Sequence, residues 1–119
     1  MLYVSSQQYE TLWHGTSEPA DVIKLYGLTE VPVYLTDNPD AAIQYALSDQ
    51  ERTGNNNITL VEVNVNQLDQ SKLLPDPDHE QWDDNGNPIE TWQQGLQFTD
   101  QCIYNDVIPP NALRVEEVD

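Results

Sequence analysis

Only four of the 119 residues are basic, Lys24, Arg52, Lys72 and Arg114, against 21 acidic ones, and the formal net charge is -17. A chain so short of cations has no basic stripe to neutralise phosphates, which argues against stable nucleic-acid binding. Attachment to an anionic membrane is disfavoured for the same reason. The acidity fits solubility or adaptation to a salty cytoplasm. A decoy surface imitating DNA is the sharper alternative, but the acids are scattered and not gathered at one helical period. A single cysteine, Cys102, excludes an intrachain disulfide and a thiol-based metal cluster. Its neighbours Gln101, Ile103 and Tyr104 mark it as a small core residue. No apolar run approaches the roughly 20 residues of a membrane-spanning helix. The N-terminus lacks the basic-then-apolar layout of a signal peptide, so a cytoplasmic location is expected.

What is present fits one domain over residues 1–119. Residues 1 to 9 read as a lead-in. Thr11 to Trp13 reads as a short buried strand. Ser17 as N-cap and Pro19 near the first helical position predict an amphipathic helix through Tyr26, stopped by Gly27. A strand starts at Val33, after Pro32. Asp37 or Asn38, followed by Pro39, caps a second helix with Ala41, Ala42, Tyr45 and Ala46 on one face. Ile58 to Val65 is the strongest strand, with a phase change near Leu60 and Val61 that suggests a bulge or double-sided burial. Lys72 to Pro75 is a short extended piece, and Pro75 to Pro88 a long surface loop. Ile89 to Leu96 is ambiguous and compatible with a helical turn. Phe98 to Tyr104 and Leu113 to Val118 read as closing strands, joined by a turn at Pro109-Pro110-Asn111. The pattern is α+β. His79 with Glu80, Asp76, Asp78, Asp83 and Asp84 does not match the spacing of a calcium loop, and no metal is expected.

The series His14-Gly15-Thr16, Gly27-Leu28, Val33-Tyr34-Leu35-Thr36 and Tyr45-Ala46 resembles the framework of ADP-ribosyltransferases of the diphtheria-toxin-like and poly-ADP-ribose-polymerase-like branch, in the short form of small bacterial or phage members. The closing piece, Gln101-Cys102-Ile103-Tyr104 with Val107-Ile108-Pro109-Pro110, resembles that of the DNA-modifying group. The resemblance covers most of the chain. It implies split antiparallel β-sheets with short helices around an NAD cleft. The activity it implies is mono-ADP-ribosyl transfer from NAD to an unidentified acceptor (protein, nucleic acid or small molecule), with release of nicotinamide.

By the same resemblance, His14 bonds an adenosine-ribose hydroxyl. The backbone of Gly15, next to Thr16, takes the nicotinamide amide, and Tyr34 and Tyr45 enclose the nicotinamide ring. A third polar residue stabilises the cationic transition state. Here Gln101 stands where the family has glutamate, with Asp100 as the alternative register. Ala42 stands where polymerase-like members place a hydroxyl. An amide accepts a hydrogen bond but brings no charge and no base. A catalytically weak or inactive NAD or ADP-ribose binder is therefore the alternative, as is an acidic inhibitor of a basic partner protein.

Overall fold

Among the described residues six strands form the framework: β1 (Thr11–Thr16), β2 (Val33–Thr36), β3 (Thr59–Asn64), β4 (Leu73–Pro75), β5 (Gln101–Tyr104) and β6 (Leu113–Glu117). The computed structural model describes residues 9–78 and 81–118. Among these residues three α-helices accompany the strands: α1 (Ala20–Tyr26), α2 (Pro39–Thr53) and α3 (Trp92–Thr99). The domain is α+β, and every neighbouring strand pair is antiparallel.

The expected pair of separate sheets is corrected to one six-stranded sheet in the order β4-β5-β2-β1-β3-β6. Its centre is nevertheless weakly joined. β1 pairs with β3 along all six of its residues, and β2 with β5 along all four. Between β1 and β2 a single residue pair remains, Trp13 with Thr36. One pair suffices to make a single sheet, and beyond it the two halves part.

Strand alternation places Leu12, Val61, Val63, Val33, Leu35 and Cys102 in one buried cluster, which Ile23 of α1, Trp92 and Leu96 of α3, and Ile108 join. Burial pushes the Cys102 thiol well above its ordinary range, which fits an inert core residue.

Several local details differ from the sequence reading. Ser17 does not cap α1. The residue before the helix is Pro19, which makes no side-chain cap, and Ser17 is drawn instead to Asp49 of α2. Asn38 does cap α2, accepting from the Asp40 amide, with Pro39 in its first turn. β3 shows no bulge: its residues 59–64 pair without interruption, and Thr59, Val61 and Val63 are its buried face. Phe98 and Thr99 belong to α3, whose Thr91 and Gln94 form a capping box. β5 therefore begins only at Gln101. His79 and Glu80, part of the acidic loop, lie outside the described residues, as does most of the lead-in.

Two glycines hold elements together. Gly27 ends α1 at φ 80°, and a Cβ there would lie 2.1 Å from the Ile108 carbonyl oxygen. At Gly15 a Cβ would lie 1.6 Å from the Ala42 carbonyl oxygen of α2. The backbone of α2 thus rests directly on β1, with Ala42 and Ala46 wholly buried. Gly15→Ala should force helix and strand apart and lower stability by at least about 3 kcal/mol, the upper end of overpacking costs. Urea denaturation checks this, and an unchanged midpoint would contradict the packing.

Candidate functional site

Where β1 and β2 part, the end of β1 has β3 on one side and a cavity of about 280 Å³ on the other. His14, Gly15, Thr16, Tyr34, Tyr45 and Gln101 all line it. Every residue picked out from the sequence as a contact for NAD therefore meets in one place, brought there by β1, β2, α2 and β5. The volume lies near the small end of ligand clefts, roughly 300–1,000 Å³.

His14 spans the parting. Its Nδ1 lies 2.8 Å from the Tyr34 carbonyl oxygen. A carbonyl can only accept, so Nδ1–H donates, and the neutral ring carries its lone pair on Nε2. Burial pushes the imidazole below its ordinary value. That outweighs the Tyr34 bond and the carboxylates of Asp49 and Glu30, all of which favour the cation. The ring offers an acceptor to a ligand hydroxyl.

The two tyrosines are each about two-fifths exposed, Tyr34 at 39% and Tyr45 at 40%. Both line the cavity while their hydroxyls are held. Tyr34 donates to Asp78 at 3.4 Å and Tyr45 donates to Oε1 of Gln101 at 2.7 Å. Burial, then nearby carboxylates, keeps both phenols above their ordinary value and protonated.

Gln101, not Asp100, lines the cavity. Asp100 is the residue after α3, in the left-handed region at φ 61°, and is exposed. Gln101 is 7% exposed and its Nε2 donates to Oδ2 of Asp76 at 2.7 Å. Ala42, buried against Gly15, is not part of the lining. The bare backbone at Gly15 is thus required by α2. On the side of β2, Gly15 has no strand partner, because the β1–β2 pairing stops at Trp13 and Thr36.

Sequence reasoning missed the polar mouth. Asp49 of α2 accepts from the Ser17 amide at 3.0 Å, the Ser17 hydroxyl at 2.9 Å and Thr16 at 3.3 Å. Its other oxygen holds Arg52 at 2.8 Å, and Arg52 reaches Glu30 at 3.5 Å. Burial raises the Asp49 carboxyl, but the Ser17 and Arg52 donors together hold it below its ordinary value. Helical spacing from Tyr45 to Asp49 to Arg52 was the available signal. Asp76 had none beyond an Asp-Pro-Asp turn, in which it accepts from the Asp78 amide at 2.8 Å.

Glu18, Glu30 and Asp49 face the cavity against one cation, Arg52. Among the described residues no group of three or more His, Cys, Asp or Glu is arranged to hold a metal ion, and no helix is long and apolar enough to cross a membrane. No family model matches the chain, and no curated protein matches it.

The depressed His14 value has a pH consequence. Below about pH 6.5 the unfolded ring takes up a proton that the folded ring refuses. The stability that His14 contributes is therefore complete above that pH and is lost as pH falls through the lower folded value. Wild type should lose more stability than His14→Gln between pH 7.5 and 5.5, by chemical denaturation at each pH. His79 is common to both proteins and cancels. Parallel losses would contradict the assignment of a neutral, half-buried ring.

Proposed function

We propose that the cavity at the parted strands binds the nicotinamide end of NAD and that the domain is an NAD-dependent mono-ADP-ribosyltransferase. The observation that carries this reading is the convergence of His14, Tyr34, Tyr45 and Gln101, from four separate elements, around one small cavity. The order of these residues along the chain is that of the family resemblance. In the proposed reaction the bond from nicotinamide to ribose C1′ breaks, and its electron pair leaves with nicotinamide. An acceptor then forms a bond to C1′ and gives up a proton. Charge develops on the ribose, so acceptor oxygens held near it lower the barrier. The neutral His14 ring accepts from a ribose hydroxyl, the open edge of β1 at Gly15 meets the carboxamide, and the exposed tyrosine faces contact the ring.

A second reading, a binder of NAD or ADP-ribose without turnover, is favoured by one observation. Position 101 carries a neutral amide engaged at both ends, by Tyr45 and by Asp76. Nicotinamide release separates the two readings. An acidic inhibitor would instead bind a basic protein without nucleotide, in a salt-sensitive way.

NAD should raise the melting temperature through preferential binding to the native state. His14→Ala and Tyr45→Ala should each abolish that shift. NAD is anionic and the cavity mouth is acidic, so affinity should rise with ionic strength, as the screening length falls from about 30 Å at 0.01 M to about 10 Å at 0.1 M. Equal shifts in wild type and both variants would contradict the site. Affinity that falls with salt would contradict the electrostatics.

A further inference from the structure

Asp76 lies outside the cavity, directly behind Gln101. It is 3% exposed, and the loop carrying it leaves the end of β4. Its Oδ1 accepts from the Asp78 amide at 2.8 Å, and its Oδ2 accepts from Nε2 of Gln101 at 2.7 Å. A carboxylate accepts and does not donate, so it decides which end of the neighbouring amide it meets. The NH2 of Gln101 must face Asp76, and the carbonyl oxygen must face the other way. That oxygen accepts from the Tyr45 hydroxyl at 2.7 Å, on the side of the cavity.

We infer that Asp76 is a positioning residue that locks the Gln101 amide with its oxygen toward the ligand, so that a neutral side chain presents the acceptor face a glutamate would present. The inference rests on the proposed NAD reading for its purpose but not for its geometry. A charge-assisted bond at the NH2 also polarises the amide and increases the negative character of its oxygen. The carboxylate that position 101 lacks is thereby supplied one side chain further back, shielded from solvent.

The lock predicts the effect of substitutions. In Asp76→Asn, an asparagine that keeps its oxygen on the Asp78 amide turns its NH2 toward Gln101. The Gln101 amide must then flip and present NH2 to Tyr45 and the cavity. In Gln101→Glu, two carboxylates meet where one hydrogen bond stood, a like-charge contact that destabilises the ionised pair. The double variant Asp76→Asn/Gln101→Glu restores a donor facing an acceptor, with the carboxylate and the amide exchanged.

The experiment has two arms. In the first, without ligand, NMR of the full chain compares the Gln101 side-chain NH2 protons in wild type and Asp76→Asn. Contacts with the Asp78 amide in wild type, replaced by contacts with the Tyr45 ring in the variant, are expected. Thermal melts should show each single substitution lowering the midpoint and the double variant regaining most of the loss. An unmoved Gln101 amide, or a double variant no more stable than the sum of the single losses, would overturn the inference. If Asp76→Asn does not fold, the melts of Gln101→Glu and the double variant decide alone.

In the second arm, NAD cleavage is followed by nicotinamide release. Asp76→Asn should lower kcat by roughly 10²-fold, the scale on which one preorganised group acts. KM should change little, and the double variant should recover activity. A loss of activity in KM alone would overturn the positioning role. Absence of NAD binding by wild type would remove the transferase reading and leave the first arm to judge Asp76.

Discussion

β1 and β2 share one residue pair, and the cavity exists because they share no more. Antiparallel strands that paired beyond Trp13 and Thr36 would occupy with their own hydrogen bonds the edge that now faces the cavity. What holds the gap at a fixed width is the His14 ring, which replaces the missing backbone pairing with one bond to the Tyr34 carbonyl. From behind, α2 rests on Gly15 and fixes the angle at which β1 leaves β2. The same helix brings Tyr45 and Asp49, so one rigid contact sets the positions of a ring face and of the polar mouth.

Inside this frame the polar groups form two chains that converge on the cavity. One runs from Arg52 through Asp49 to Thr16 and Ser17 and ties α2 to the end of β1. The other runs from Asp76 through Gln101 to Tyr45 and ties the loop after β4 to α2. Each contains a carboxyl group whose oxygens meet specific donors, Asp49 from Ser17, Thr16 and Arg52 and Asp76 from the Asp78 amide and Gln101. Orientation along the second chain starts from an acceptor whose role is unambiguous, the Asp76 carboxylate at Gln101, as the Tyr34 carbonyl separately orients His14.

The parts of the fold legible in the sequence were those governed by local rules. Asn38 with Pro39 marks the start of α2, Gly27 the end of α1, and the valines of β3 its buried face. The candidate residues His14, Tyr34, Tyr45 and Gln101 could be named from the sequence, but that their four elements meet around one cavity could not. Two of the misses come from competition with distant partners. Ser17 looks like a helix cap, but Asp49, 32 residues away, provides it a charged acceptor. Gly15 suggested close approach of a ligand, and nothing in the sequence signalled that α2 approaches it as closely. Asp76 sits in an acidic loop that composition marks as solvated, and its burial depends on the Gln101 amide, 25 positions later. The joining of the two half-sheets through one pair has no local signal.

The central claim is that a small ligand bearing a nicotinamide ring enters where the strands part. An amide NMR titration of the full chain with NAD, and separately with nicotinamide, tests it most directly. The account predicts that the largest shifts fall on His14, Gly15 and Thr16 of β1 and on Gln101 of β5. It also predicts that nicotinamide alone reproduces the changes at Gly15 but not those that depend on the sugar hydroxyls. Shifts centred elsewhere, or none at millimolar ligand, would contradict it.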